Sequence, residues 1–408
     1  MQPTTSPKQA ESQEAVKPLI ELIKAGKLFA VQEWIAGGLP LDPPPPEPKK
    51  THRSSPLEVA IEHGFHSLVQ VLLEGGAAFQ REGDGNEIHQ ALGMRRLDLV
   101  SLLVDHGYDA RTVPAYSVFA TWDPAIMEYF VERGADFETG LPLAHALIDR
   151  IQPVLGFYKR HRERFAGFVE QINVALRYHC HEGNMKWVSL MLWAGADPYS
   201  SGPSSYPDCR SGYFPETSAV AAAACHRHYE VLRMKRIRLD PAHPATMDVA
   251  SSLHDREGVD ILAQLLKLGL NPNDQTNGGS SLLHRRIVGM GWEAQLAGLR
   301  MQFKFYDSAR DPAGAREELR AVHLLAKHGG KWIPTDQHQV ADVRRALLRL
   351  LPDYTVELVW IMSKYQACSA QDLEAVLRTP KMKAHLDKHA GRVRELLKDC
   401  RCDSSHVE

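Results

Sequence analysis

Apolar residues along this chain recur in pairs of short runs at helical spacing, and most second runs close on a glycine. From Lys17 to Gly38, residues Leu19, Ile20, Ile23, Val31, Trp34 and Ile35 fall three or four apart and predict two helices. From Ser55 to Ala77 the pattern returns, with Leu57 and Ala60 facing inward from one helix and Leu68, Val69, Leu72 and Leu73 from the next. Ser55 suits the N-cap, and Pro56 the first turn, where a missing N–H costs nothing. Ile88 to Gly107 forms a third pair. A fourth closes at Ile126 to Asp136 behind a weak first helix near Ala115 to Thr121, and Leu141 to Ile148 opens a fifth. The charged stretch Gln152 to Glu170 reads as an extended or degenerate helix. Further pairs follow at Ile172 to Pro198, Ser218 to Asp240, Met247 to Asn273 and Ser281 to Trp332, the last interrupted by an insertion at about 289–317.

The best-formed joint between pairs runs from Gly269 to His284, G-L-N-P-N-D-Q-T-N-G-G-S-S-L-L-H. It resembles the joint of the ankyrin repeat family, with Gly269, Asn271, Pro272, Asn273, Gly279, Ser281, Leu283 and His284 in register. Thr276 and Leu282 depart from that pattern. A second match, A-A-C-H-R-H-Y-E-V-L, covers Ala223 to Leu232. The resemblance implies units of about 33 residues. The closing glycines stand at 38, 76, 107, 134, 195, 269 and 329. Their first three gaps suit single units, the next two suit double units that have lost a glycine, and the last suits one enlarged unit or two with one eroded. About eight or nine units are expected.

The expected architecture is therefore all-α, a divergent, bacterial-type ankyrin solenoid of helix pairs with short finger loops over residues 16–334, carrying insertions near 39–54, 199–217 and 289–317. Four helices without closing glycines, Val340 to Leu351, Val356 to Tyr365, Gln371 to Leu377 and Ala384 to Leu397, make 335–408 a helical cap or a small helical domain, since a repeat stack needs polar ends. Residues 1–15 are polar and expected to be disordered. At each joint Gly195 or Gly269 can take the left-handed conformation that ends a helix, and the residue before proline in Asp197-Pro198 and Asn271-Pro272 turns the chain outward. Ser281 is expected to cap the next helix. By position in the resemblance, His284 hydrogen-bonds the backbone and steadies the turn, with Gly279 completing the structural set.

Composition narrows the function. Lys and Arg total 48 against 50 Asp and Glu, a formal charge of -2, which lacks the basic footprint of a nucleic-acid binder. No apolar run reaches the ~20 residues of a membrane span. Six scattered cysteines and no secretory signal at the start suit a reducing, cytoplasmic setting, with export through a specialised secretion system as an alternative fate.

Two histidine and cysteine clusters, His179-Cys180-His181 and Cys225-His226-Arg227-His228, carry zinc-ligand chemistry in the wrong spacing. Successive helical side chains point about 100 degrees apart and do not converge. Nucleophile motifs and phosphate loops are absent, and Cys400 and Cys402 read as incidental thiols. No metal, cofactor or catalytic residue is therefore expected. Loop chemistry is more informative. Tyr199 to Thr217 sets Tyr199, Tyr206, Arg210, Tyr213 and Phe214 among serines and glycines, which suits a recognition loop because tyrosine gives large contact area at low entropic cost. The insertion after Gly289, with Trp292, Phe303, Phe305 and Tyr306, is a weaker second surface. The reading is a monomeric, non-catalytic scaffold that binds another protein through its concave face and fingers. A secreted effector or toxin-neutralising immunity protein, and an enzyme on the same scaffold, are the alternatives.

Overall fold

The computed structural model describes residues 9–44, 55–79, 87–202, 217–274, 280–298, 312–350 and 352–387. The chain folds as two compact units, 1–175 and 176–408.

In the first unit the helices come in pairs: α1 (Gln13–Lys24) with α2 (Leu28–Ala36), α3 (Pro56–Glu62) with α4 (His66–Glu74), α5 (Glu87–Gly93) with α6 (Leu97–Asp105), α7 (Ala115–Phe119) with α8 (Pro124–Glu132), and α9 (Pro142–Ile148) with α10 (Pro153–His161). Each first helix packs on the first helix of the next pair, so α1, α3, α5, α7 and α9 form one layer, while α2, α4 and α6 stack as a second. Leu57, Ala60, Leu68, Val69 and Leu72 are buried between these layers, as their spacing predicts. A capping box closes the start of α3. The Ser55 hydroxyl accepts the Glu58 N–H at 3.0 Å and the Glu58 carboxylate accepts the Ser55 N–H at 2.8 Å. Regular structure starts earlier than expected. Ala10 is buried and donates its N–H to the Asp42 carbonyl, and α1 begins at Gln13, because the preceding residues pair with the loop after α2. Residues 1–8 lie outside the described residues.

The far end of this unit is aromatic. Phe157 lies 5.2 Å, centroid to centroid, from both Phe119 and Phe137, and Phe168 closes the cluster at 6.0 Å. Gln152 to Glu170 is thus not one long helix. It makes α10, a turn, and the start of α11 (Phe168–His181), because Phe157, Phe165 and Phe168 must all reach the same core.

The second unit contains the end of α11 with α12 (Met185–Ala194), then α13 (Ala219–Cys225) with α14 (Tyr229–Leu232), α15 (Pro244–Ser251) with α16 (Arg256–Lys267), α17 (Leu282–Gly298) with α18 (Pro312–Lys327), α19 (Gln337–Arg349) with α20 (Pro352–Lys364), and α21 (Ala370–Leu377) with α22 (Pro380–Asp387). Two two-residue strands, β1 (Ser201–Gly202) and β2 (Thr217–Ser218), precede α13. The doubled gaps of the glycine ruler hold two pairs each, and α14 has eroded to a single turn. The last gap holds one pair, with residues 299–311 of its insertion outside the described residues.

Past Trp332 the pairing continues. Helix α19 packs on α17, α20 on α18, and α21 on α19, in the same order as the earlier pairs. A non-glycine residue, Gln366, takes the closing left-handed turn at φ 48°, so no glycine marks this repeat in the sequence. The fourth helix runs Pro380–Asp387, earlier than Ala384 to Leu397, and residues 388–408 lie outside the description.

A second register of turns joins the two helices within most pairs. Gly26, Gly64, Arg95, Trp122 and Arg150 hold φ between 57° and 70° in five successive pairs of the first unit, and Gly183 and Arg227 do so in the second. Left-handed backbone costs an L-residue roughly 1–2 kcal/mol. Glycine avoids that cost at three of these turns; arginine and tryptophan bear it at the others.

Candidate partner-binding surface

The loop singled out by its tyrosines grows from the joint at Gly195, which ends α12 with φ 103°. The Asp197 carboxylate accepts the Tyr199 N–H at 2.9 Å, setting the turn. The Tyr199 hydroxyl accepts the Asp240 N–H and donates to the Arg238 carbonyl, both at 2.7 Å, and its ring lies 4.2 Å from His243. Tyr199 is thus half-buried and clamps the base of the loop to the joint before α15. Beyond it β1 and β2 pair antiparallel, Ser201 with Ser218 and Gly202 with Thr217, and Ser218 caps α13. Under this ladder lies Arg177, 1% exposed, donating to the Ser200 carbonyl at 3.3 Å. A side chain at Gly202 would place its Cβ 2.6 Å from that guanidinium, so any larger residue there would have to displace it. Tyr206, Arg210, Tyr213 and Phe214 lie outside the described residues.

The joint at Gly269 is built in the same way, with φ 104°. The Asn271 side chain accepts the Asn273 N–H at 3.1 Å. Asn273 then donates to the Gly329 carbonyl at 3.0 Å and accepts the Lys331 N–H at 2.6 Å, stapling two successive joints. Ser281 accepts the His284 N–H at 3.2 Å, as a cap should. His284 is buried and stacks near Trp332, with ring centroids 6.4 Å apart. Its Nδ1 has no partner among the described residues, and burial lowers its pKa. Gly279 lies outside those residues.

The histidine and cysteine clusters meet across two inner turns. His181 and His226 have ring centroids 3.7 Å apart, and the His228 ring packs against Gly183, where a Cβ would stand 2.4 Å away. His179 and Cys180 are buried instead, the first stacked on Trp187 at 5.4 Å and the second with its thiol pushed up to about 12 by burial. No group of three or more His, Cys, Asp or Glu among the described residues is arranged to hold a metal ion. Burial, then the nearby His181 and His228, hold the His226 pKa below its ordinary value. An unfolded chain therefore takes up a proton at His226 before the folded one does, so stability is full above about pH 6.5 and falls as pH drops below it. Urea midpoints measured between pH 7.5 and 5.5 should decline, and H226Q should flatten that decline.

Sequence reasoning passed over a buried charge network. Arg286, 1% exposed, donates through Nη1 to both Glu318 oxygens at 3.1 and 3.2 Å and through Nη2 to the Ala250 carbonyl at 2.6 Å. His254 Nδ1 lies 2.8 Å from Glu318. Burial would raise the Glu318 pKa, but Arg286 and His254 together hold it below the ordinary carboxylate range. Its sequence signal was an arginine on an otherwise apolar helix face. Elsewhere a cleft of about 600 Å³ opens beside Lys331, Ile333, Ser369 and Asp372, with Ile333 75% exposed at its rim. Among the described residues no helix is long and apolar enough to cross a membrane.

Left-handed turns inside most helix pairs and at most joints, a joint of the form G-x-[DN]-P at Gly195 and Gly269 leading to a capped helix, and first helices stacked on first helices set the form of the repeat. In these features the helix pairs resemble ankyrin repeats. No family model matches the chain. An ankyrin repeat and KH domain-containing protein of Caenorhabditis briggsae is 26% identical over 193 residues, which is 44% of this chain and 7% of that protein. This chain therefore spans a small fraction of that relative. Among solved structures, the ankyrin repeat domain of Bcl-3 is 18% identical with a TM-score of 0.29, covering 65% of this chain and 92% of that one. The human ASB11 ankyrin repeat domain is 16% identical with a TM-score of 0.21, covering 65% and 90%.

Proposed function

We propose that this ankyrin-type stack is a non-catalytic scaffold that binds another protein through the loop between β1 and β2. The observation that carries this reading is the construction of the loop's base. A buried arginine, a close-contact glycine, a two-pair ladder and a clamped tyrosine fix both ends of a segment whose sequence is tyrosine, serine and glycine. A fixed base lowers the ordering cost that recognition would otherwise incur. The aromatic residues Tyr206, Tyr213 and Phe214 then act as anchors, with Arg210 supplying a charge, while Tyr199 positions the loop. Such anchors usually carry most of an interface's affinity.

The test begins with partner capture on the full chain, followed by titration of the purified partner against wild type and the Y206A/Y213A double variant. Affinity should fall at least tenfold with an unchanged circular dichroism spectrum. Equal affinity would remove the loop from the interface. A Y199F variant should bind more weakly and also lose stability, since its hydroxyl holds two backbone groups.

A further inference from the structure

The inner turns of the first unit present side chains where backbone economy asks for glycine. Turns at Gly26, Gly64, Arg95, Trp122 and Arg150 share one geometry. In each, the left-handed residue donates its N–H to the carbonyl three positions back, as Arg95 does to Leu92, Trp122 to Phe119 and Arg150 to Leu147. They also sit side by side. Phe65 reaches over the turn at Gly26, Met94 over the turn at Gly64, and the Tyr116 hydroxyl donates to Asp149 beside Arg150 at 2.6 Å. The packing of α5 on α7 and α7 on α9 brings the last three turns into one row.

In that row Arg95, Trp122 and Arg150 are exposed, Trp122 by 43%. Neither arginine makes an ion pair among the described residues, whereas the neighbouring carboxylates are engaged locally. Asp98 pairs with Arg96, Asp123 caps α8, and Asp149 accepts from Tyr116. The two arginines thus sit on costly backbone with no ion pair among the described residues to hold them, and the half-exposed Trp122 stands between them. Their arrangement is cation, aromatic, cation, at intervals set by helix packing of about 8–10 Å. An extended chain covers each interval in about three residues.

We propose that this row docks an extended protein segment carrying two carboxylates with an aromatic or large apolar residue midway between them. The guanidinium groups of Arg95 and Arg150 take the carboxylates and Trp122 takes the central side chain. This row belongs to the first unit and shares no residue with the β1–β2 loop, and it goes beyond the scaffold reading by naming the chemistry of a second partner site.

The test uses the full chain and a fluorescein-labelled extended peptide with glutamates at both ends and a phenylalanine midway, read by anisotropy. Binding is expected, with a tenfold or greater loss when the glutamates become glutamine or the order is scrambled. R95G and R150G should each weaken binding several-fold while raising the melting temperature, because glycine relieves the left-handed backbone, and W122A should weaken binding several-fold. R95Q keeps the strained backbone and should lose binding without that gain. The Y206A/Y213A variant should bind this peptide normally, so failure of the loop reading leaves this result intact. The proposal is overturned if the peptide does not bind, if the glutamine or scrambled peptides bind equally, or if the glycine variants lower the melting temperature, which would make the side chains structural. Retention on phosphatidylserine vesicles through the same three residues, without peptide binding, would overturn it in favour of a membrane surface.

Discussion

Glu318→Ala is expected to destabilise the second unit by about 3–5 kcal/mol, the cost of stranding one member of a buried ion pair. The side chain of the arginine left behind is 1% exposed, so the loss comes from its uncompensated charge as well as from two hydrogen bonds. The bond to the Ala250 carbonyl remains but does not neutralise that charge. A paired replacement separates these terms. R286M/E318L removes both charges and keeps apolar volume, and it should recover most of the lost stability, since apolar substitutes for buried pairs are often neutral or better. The wild-type pair also predicts a pH dependence. Because the folded Glu318 pKa lies below its ordinary value, its contribution is present above the ordinary carboxylate range and fades as pH falls through the folded pKa. Urea unfolding followed by circular dichroism checks wild type and both variants; a loss below about 1 kcal/mol in E318A would contradict the account.

Phe157→Ala should cost the first unit a similar amount, about 3–5 kcal/mol, through the cavity it leaves. Phe157 is fully buried and touches Phe119, Phe137 and Phe168, with His161 at 4.6 Å on its fourth side. These rings come from α7, the joint after α8, α10 and α11, so the cluster ties the α7–α8 and α9–α10 pairs to α11 where α7 is only five residues long. Short helices contribute little by themselves. The loss should therefore spread, with amide exchange rising across α7 and α9 as well as at α10. F157L, which fills most of the volume, should lose well under half as much.

Much of this architecture was legible because local chemistry sets it. Ser55 and Pro56 announce a helix start through a side-chain bond and a missing donor, both confined to one turn. Gly195 and Gly269 announce helix ends because only glycine takes that backbone without strain. The features that escaped reading were those where a different residue does the same job. Gln366 closes a turn in the left-handed region, so the pairs beyond Trp332 looked like a new region although they stack as before. Arg95, Trp122 and Arg150 similarly hid the second register of turns. By composition Tyr199 reads as a recognition residue, whereas in the structure its hydroxyl is held by the Asp240 N–H, a partner 41 positions away.

The sequence by itself determined the period of the stack, the caps and closing glycines of most pairs, and the apolar stripe each helix buries, since these depend on residues within one turn or one unit. Only the tertiary structure decided which arginines are buried and paired, which tyrosine is a clamp, and which turns line up in a row. Those outcomes depend on residues tens of positions apart that meet only when neighbouring units pack, and no local pattern encodes that meeting.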